Sequence, residues 1–156
     1  IRLIAESLEK AVNSPDLESR AKMMIASLMG ATAFQKGLGI VHSLAHPLST
    51  VTDMHHGLAN SIMLTHGMEF NAESSGERMK TIATVIGLSH PGPEGLIKWL
   101  KELNPKIGLP SSLKDFANPS QLDRLTELAF ADPCHGCNPR LVTREDLRKI
   151  YEKAMQ

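Results

Sequence analysis

Apolar residues recur along most of the chain at intervals of three or four, which is the spacing of one helix face. The pattern is present from the first residues, with Ile1, Ile4, Leu8 and Val12. No segment shows a sustained alternation of polar residues with β-branched or aromatic ones, so no strand is predicted. The pattern therefore predicts an all-α protein folded as a single helical bundle.

Capping residues and prolines divide this pattern into separate helices. A second helix is predicted to start at Ser14-Pro15-Asp16 and to end near Gly37, where Pro15 suits a first turn. A third is predicted from Ile40 to about Leu48, where Pro47 should end or kink it. The later helices are predicted after the capping residues Asp53 (55–71), Ser74 (to 87), Ser112, Ser120 and Thr143 (145–155), with one more over 94–103.

The first helix has no capping residue ahead of it. Helices usually begin after Ser, Thr, Asp or Asn, whereas here the apolar pattern is already present at Ile1. We therefore expect the helix to be under way where the sequence begins, and the chain to be a piece of a longer protein.

Composition narrows the class of protein. The 156 residues carry 17 basic and 17 acidic side chains, and this zero net charge disfavours nucleic-acid binding. Apolar stretches are too short for a membrane span and no secretion signal is visible, so we expect a cytoplasmic protein without a membrane partner. Two cysteines do not make a disulfide framework. Methionines are predicted to fill the core, namely Met23, Met24, Met29, Met63 and Met68.

The candidate chemistry lies in a cluster of histidines. His42 and His46 are four residues apart, which places both imidazoles on one face of a helix, and His55 and His56 come at the start of the next helix. Such a pair can chelate one divalent cation such as Fe²⁺ or Zn²⁺, or one imidazole can bind the metal while the other reaches a substrate. Spacing alone leaves surface or core histidines as an equal alternative.

Two motifs resemble a known family. The first resembles the signature of iron-containing (group III) alcohol dehydrogenases and comprises Gly39, Val41-His42, Ala45-His46-Pro47-Leu48, His56-Gly57, Ala59-Asn60, His66 and Glu69-Phe70-Asn71. The second resembles the C-terminal segment of that family and comprises Asp132-Pro133-Cys134, Asn138-Pro139-Arg140 and Thr143. By this resemblance, residues 1–156 are a C-terminal, all-helical, metal-binding domain of the dehydroquinate synthase-like type.

The resemblance implies site residues. Family members hold a divalent metal between a Rossmann-like domain and a helical domain, with one aspartate and three histidines as ligands. Two of those histidines match His42 and His56, and His46 matches the histidine near the nicotinamide. The other two ligands and the glycine-rich phosphate loop would precede residue 1. His55 stands where the family commonly has proline, and we favour His56 as the ligand because Gly57 follows it.

The implied function is hydride transfer between an alcohol and NAD or NADP, with Fe²⁺ (or Zn²⁺) polarising the oxygen. The implied partners are an N-terminal nucleotide-binding domain, a small alcohol or aldehyde, and further copies in a homo-oligomer. We expect this piece alone to be inactive. Two alternatives stay open: a non-catalytic helical module of the same ancestry that serves oligomer contacts, and an unrelated helical metal binder.

The Cys134-His135-Gly136-Cys137 segment invites a separate metal or redox interpretation. Haem attachment needs histidine directly after the second cysteine, where this chain has Asn138. One Cys-x-x-Cys without a second pair is a poor zinc site. We therefore expect an ordered loop that holds the last helix.

Overall fold

The computed structural model describes residues 1–156, and its regular elements are helices only, which confirms the all-α prediction. The α-helices are α1 (Arg2–Asn13), α2 (Leu17–Ala33), α3 (Ile40–Thr52), α4 (His56–Val85), α5 (Pro93–Lys106), α6 (Leu122–Ala131) and α7 (Arg144–Ala154). Short 3-10 helices cover Phe34–Lys36, Pro119–Gln121 and Pro133–Cys137. Backbone contacts divide the chain into two compact units, one of residues 1–36 and 75–109 and one of residues 37–74 and 110–156.

The first unit contains the paired helices α1 and α2, the last third of α4, and α5. As predicted, α2 starts after Asp16, whose carboxylate accepts a 2.7 Å hydrogen bond from the Ser19 N–H. The Ser19 hydroxyl oxygen in turn accepts from the Asp16 N–H, which completes a capping box. Much of the apolar surface of α2 is nevertheless exposed, including Met24 and Met29. The prediction that these two methionines fill the core is therefore wrong, whereas Met63 is fully buried.

The second unit is built around α3. This helix packs against α6, and α6 packs against α7. The apolar core between them includes Leu44, Leu125 and Leu147, none of which is exposed. Tyr151 of α7 is equally buried, and its hydroxyl donates a 2.7 Å hydrogen bond to the Leu44 carbonyl. Burial raises the pKa of the Tyr151 hydroxyl, which therefore stays protonated as the donor.

The prediction that Pro47 ends or kinks α3 is wrong about its end. The helix continues to Thr52. Proline costs it one N–H donor, but Pro47 and Leu48 are both buried in the core, and this packing favours continuation. It ends where Asp53 adopts a left-handed conformation (φ 55°). Asp53 therefore terminates α3. The prediction that it caps the following helix is wrong.

The boundaries of the later helices follow the sequence pattern less evenly. The predicted break near Ser74 is present as a kink in α4, where two helical segments meet at Ser75 with its non-helical dihedral angles (φ −126°, ψ 17°). Ser112 begins a turn instead of a helix, and its hydroxyl donates to the Ala154 carbonyl. The last helix starts as predicted, with Thr143 and Asp146 forming a capping box.

None of the helices by itself combines the length and the apolar character that a membrane span needs, and only the bent pair Leu17–Lys36 and Ile40–Thr52 would have both when taken together.

Candidate functional site

Three imidazole rings converge in the second unit. The ring centroid of His42 lies 5.7 Å from that of His46 and 5.6 Å from that of His56. The rings of His46 and His56 are nearly parallel, with centroids 5.3 Å apart. The structure thus brings together the three histidines that the sequence selected.

Local geometry explains this convergence. His42 and His46 lie one turn apart on α3, so their side chains share a face. The left-handed Asp53 then lets the chain reverse, so that α4 begins beside that face with His56. The preceding His55 has a different role: its Nδ1 accepts a 3.2 Å hydrogen bond from the Gly57 N–H at the free start of α4. His56 is therefore the ring that joins the other two.

The cluster favours the neutral form of His42. Partial burial lowers the pKa of His42, and the neighbouring His46 and His56 lower it further, because each disfavours a positive charge on that ring. Neutral imidazole is the form that binds a metal ion. His42 is thus held in a ligand-competent state.

The residues fit a divalent ion on two further counts. Two imidazoles bound to one ion through bonds of about 2.1 Å have ring centroids roughly 5 Å apart, close to the spacing of His42 and His56. Asn60 lies beside His56, with its Nδ2 2.9 Å from the His56 Nε2 and 3.1 Å from the His56 carbonyl. Its own Oδ1 is buried without a hydrogen-bond partner, so an unsatisfied polar oxygen lies near that ring.

His46 has a carboxylate behind it. Its Nδ1 lies 2.7 Å from the Asp132 Oδ2, at the start of the 3-10 helix Pro133–Cys137. Burial alone raises the pKa of Asp132, but hydrogen bonds from His46, the Cys134 N–H and the Ser43 hydroxyl outweigh it and hold the pKa at about 2. Asp132 is therefore ionised at neutral pH.

Asp132, His46 and Cys134 also form a group of three metal-binding residue types, with ligand atoms within 4.8 Å of one another. Here they form a network in which both Asp132 oxygens already accept hydrogen bonds. Burial, together with the Asp132 charge, raises the pKa of the Cys134 thiol to about 11, so that it is not a thiolate at neutral pH. These contacts favour a positioning role for Asp132 over a second metal site.

The C-terminal motif holds the start of α3. The Asn138 Oδ1 accepts from the Ile40 N–H at 3.3 Å, while its amide exchanges two hydrogen bonds with Asn71 at 2.8 and 2.9 Å. Nearby, the Arg140 guanidinium lies 4.1 Å from the Phe70 ring centroid and donates to the Phe70 carbonyl. These contacts tie the stretch after Cys137 to α3 and α4. The Cys134–Cys137 segment itself, predicted as an ordered loop that holds the last helix, lies in a 3-10 helix that packs against α3 instead.

Sequence reasoning missed Asp132 and Asn60 as partners of the histidines. Asn60 could have been found, because it lies four residues after His56 and thus one helical turn away. Asp132 is separated from His46 by 86 positions, and an aspartate followed by proline looks like a simple helix cap.

Comparison with known proteins points to one family. Residues 1–155 match the sequence profile of the Fe-containing alcohol dehydrogenase family, C-terminal. The chain is 36% identical, over 97% of its length, to an NADPH-dependent butanol dehydrogenase of Clostridium saccharobutylicum. It is 34% identical, over 99% of its length, to an NAD-dependent methanol dehydrogenase of Bacillus methanolicus. These matches cover 42% and 43% of the two relatives, so the chain spans less than half of their length.

Solved structures give the same result for the fold. A 1,3-propanediol oxidoreductase superposes with a TM-score of 0.94 at 32% identity, over 98% of this chain and 42% of that one. An alcohol dehydrogenase from Oenococcus oeni gives a TM-score of 0.91 at 33% identity, over the same shares of the two chains. The chain therefore belongs to the iron-containing alcohol dehydrogenase family and corresponds to its C-terminal, all-helical part.

Proposed function

We propose that this chain is the C-terminal part of a metal-dependent alcohol dehydrogenase that transfers hydride between a small alcohol and NAD(P). In this proposal His42 and His56 contribute two metal ligands, and His46 acts at the reacting groups. The observation that carries it is the convergence of the three imidazoles, with centroids 5.3–5.7 Å apart. The names of the relatives support the substrate class, since they include butanol, methanol and 1,3-propanediol dehydrogenases.

The remaining parts of the site would come from outside this chain. Two imidazoles are fewer than the four or so donors of a stable site, so the other ligands are expected from a preceding segment of a longer protein. The nucleotide-binding domain is expected from the same segment, because more than half of each relative lies outside the match. We accordingly expect the chain alone to bind the ion weakly and to show no dehydrogenase activity with NAD(P).

Each group has a distinct task in this proposal. A bound Fe²⁺ or Zn²⁺ supplies Lewis-acid polarisation of the alcohol oxygen, and the nicotinamide supplies the hydride acceptor. His42 and His56 would hold the ion through ring nitrogens. His46 takes up and returns the hydroxyl proton at Nε2, because its Nδ1 is engaged by Asp132.

Metal content tests the assignment of ligands. We would load the longer native protein with Fe²⁺ under anaerobic conditions, or with Zn²⁺, and measure bound metal after dialysis for His42→Ala and His56→Ala. Each variant should fall from about one ion per chain to a small fraction of one, since breaking a chelate weakens binding strongly.

The adjacent histidine provides the matched control. His55→Ala removes an imidazole one residue away that is bonded to the Gly57 N–H, and it should retain the ion. Equal loss of metal in His55→Ala and His56→Ala would contradict the assignment. A native protein that binds neither ion would instead favour a non-catalytic helical module of the same ancestry.

A further inference from the structure

The carboxylate behind His46 is itself held in one orientation. The Asp132 Oδ1 accepts from the Ser43 hydroxyl and from the Cys134 N–H, each at 2.8 Å, while its Oδ2 faces the His46 Nδ1 at 2.7 Å. The Ser43 hydroxyl oxygen also accepts a 2.8 Å hydrogen bond from the His135 N–H. Because three donors from two segments surround the carboxylate, Asp132 has little freedom to rotate.

This arrangement selects one tautomer of His46. An ionised carboxylate only accepts hydrogen bonds, so the nitrogen facing it must carry a proton. At 2.7 Å the contact has the length of a charge-assisted hydrogen bond from Nδ1–H to Oδ2. In neutral His46 the Nε2 is then the unprotonated nitrogen, which is free to accept a proton. The Asp132 side chain is mostly buried (14% exposed), whereas that of His46 is more accessible (39% exposed), so the carboxylate lies on the inner side of the pair.

We infer that Asp132 is a positioning residue, which fixes His46 in its Nδ1–H tautomer and ring orientation and so leaves Nε2 as its reactive nitrogen. The inference rests on the role of His46 in the proposed function. It extends that role, because a carboxylate on the far nitrogen orients an imidazole and fixes its tautomer. Ser43 supports Asp132 in the same way, from the helical turn that precedes His46.

The test uses the longer native protein with ¹⁵N-labelled histidine. At a pH where His46 is neutral, its ¹⁵N chemical shifts report which ring nitrogen carries the proton. The native protein should show the Nδ1–H form, and Asp132→Asn should move His46 towards the Nε2–H form. Asparagine is chosen because it retains the size and the helix-capping ability of aspartate. Ser43→Ala, which leaves the carboxylate in place, should produce a smaller shift in the same direction.

Kinetics provides the second readout. If His46 needs this tautomer, Asp132→Asn should lower kcat about 10- to 100-fold, while the KM for the alcohol and the bound metal change little. The matched control is Asp146→Asn, which alters another capping aspartate that bonds to Thr143 and touches no histidine. It should leave both the tautomer and kcat unchanged.

The outcomes separate this inference from the proposed function. An unchanged His46 tautomer in Asp132→Asn would overturn the inference whatever the activity. Unchanged kcat in Asp132→Asn, with His46→Ala inactive, would overturn it as well. Full activity of His46→Ala would instead refute the proposed role of His46, and the tautomer measurement would still decide whether Asp132 fixes the ring.

Discussion

The consecutive helices α2 and α3 are both rich in apolar residues, but they are stabilised in different ways. The first turn of α2 is capped by Asp16, the residue directly before it, and its side chains Met24 and Leu28 are 75% and 71% exposed. The first turn of α3 receives its side-chain cap from Asn138, which lies 98 positions away, and its Leu44 is not exposed at all. One helix is specified by its neighbours in sequence, the other by its neighbours in space.

This difference matters because α3 carries two of the three candidate site histidines. Its interior carbonyl at Leu44 is bonded to Tyr151, and its Ser43 and His46 are bonded to Asp132. The positions of the imidazoles therefore depend on segments near the C-terminal end of the chain. The exposed apolar side chains of α2 contribute little to the stability of their own unit, because only buried apolar area stabilises a fold.

The largest expected effect compares the same substitution on the two helices. Leu44→Ala should reduce the free energy of unfolding by about 3–4 kcal/mol, because it removes a fully buried side chain and leaves a cavity. Leu28→Ala should change it by less than about 0.5 kcal/mol, because that side chain is mostly in solvent. Urea denaturation followed by circular dichroism measures both. Similar losses would mean that the apolar face of α2 is covered by another surface.

A smaller effect is expected at the two caps. Asn138→Ala removes the acceptor of the Ile40 N–H and leaves the Asn71 amide without its partner, which should cost about 2–3 kcal/mol. Asp16→Ala removes only an exposed cap and should cost less. Hydrogen exchange of the amides in the first turn of each helix measures the two losses separately. If exchange in α3 were unaffected by Asn138→Ala, a distant cap would not be what holds this helix start.

How far the sequence could predict the structure follows the same division. The start of α2 was predicted correctly, because Ser14-Pro15-Asp16 carries its own start signal. The end of α3 was not, because the expected effect of Pro47 considers the backbone alone, whereas the core around Leu48 favours continuation. Met24 and Met29 were assigned to the core by residue type, yet both are mostly exposed.

Only part of the candidate site could be predicted, again because local signals are visible in the sequence and tertiary contacts are not. His42 and His46 are related by helical spacing, and a recognisable motif adds His56, so the three rings could be grouped from the sequence. The hydrogen bond between His46 and Asp132 joins positions 86 apart and depends on how α3 packs against the 3-10 helix Pro133–Cys137. No local rule connects two such positions, and only the tertiary structure reveals the pair.

The smallest expected effect distinguishes the chemistry of the two caps. A hydrogen bond from Lys10, together with those from the Ser19 N–H and hydroxyl, holds the pKa of the Asp16 carboxyl well below its usual range. Its contribution to α2 is therefore fully present above the unfolded pKa of about 3.9, and it is lost as the pH falls towards the lower folded value. The cap of α3 is the neutral amide of Asn138, so its first turn should not lose its cap over this pH range.

Backbone chemical shifts recorded from pH 6 to pH 2 should show fraying at the start of α2 before the start of α3. The difference should be small, because Asp16 is at the surface and screened by solvent. Asp16→Asn keeps a capping side chain without a titrating group and should abolish this dependence on pH. If the variant frayed over the same pH range as the native chain, the carboxylate of Asp16 would not be its cause.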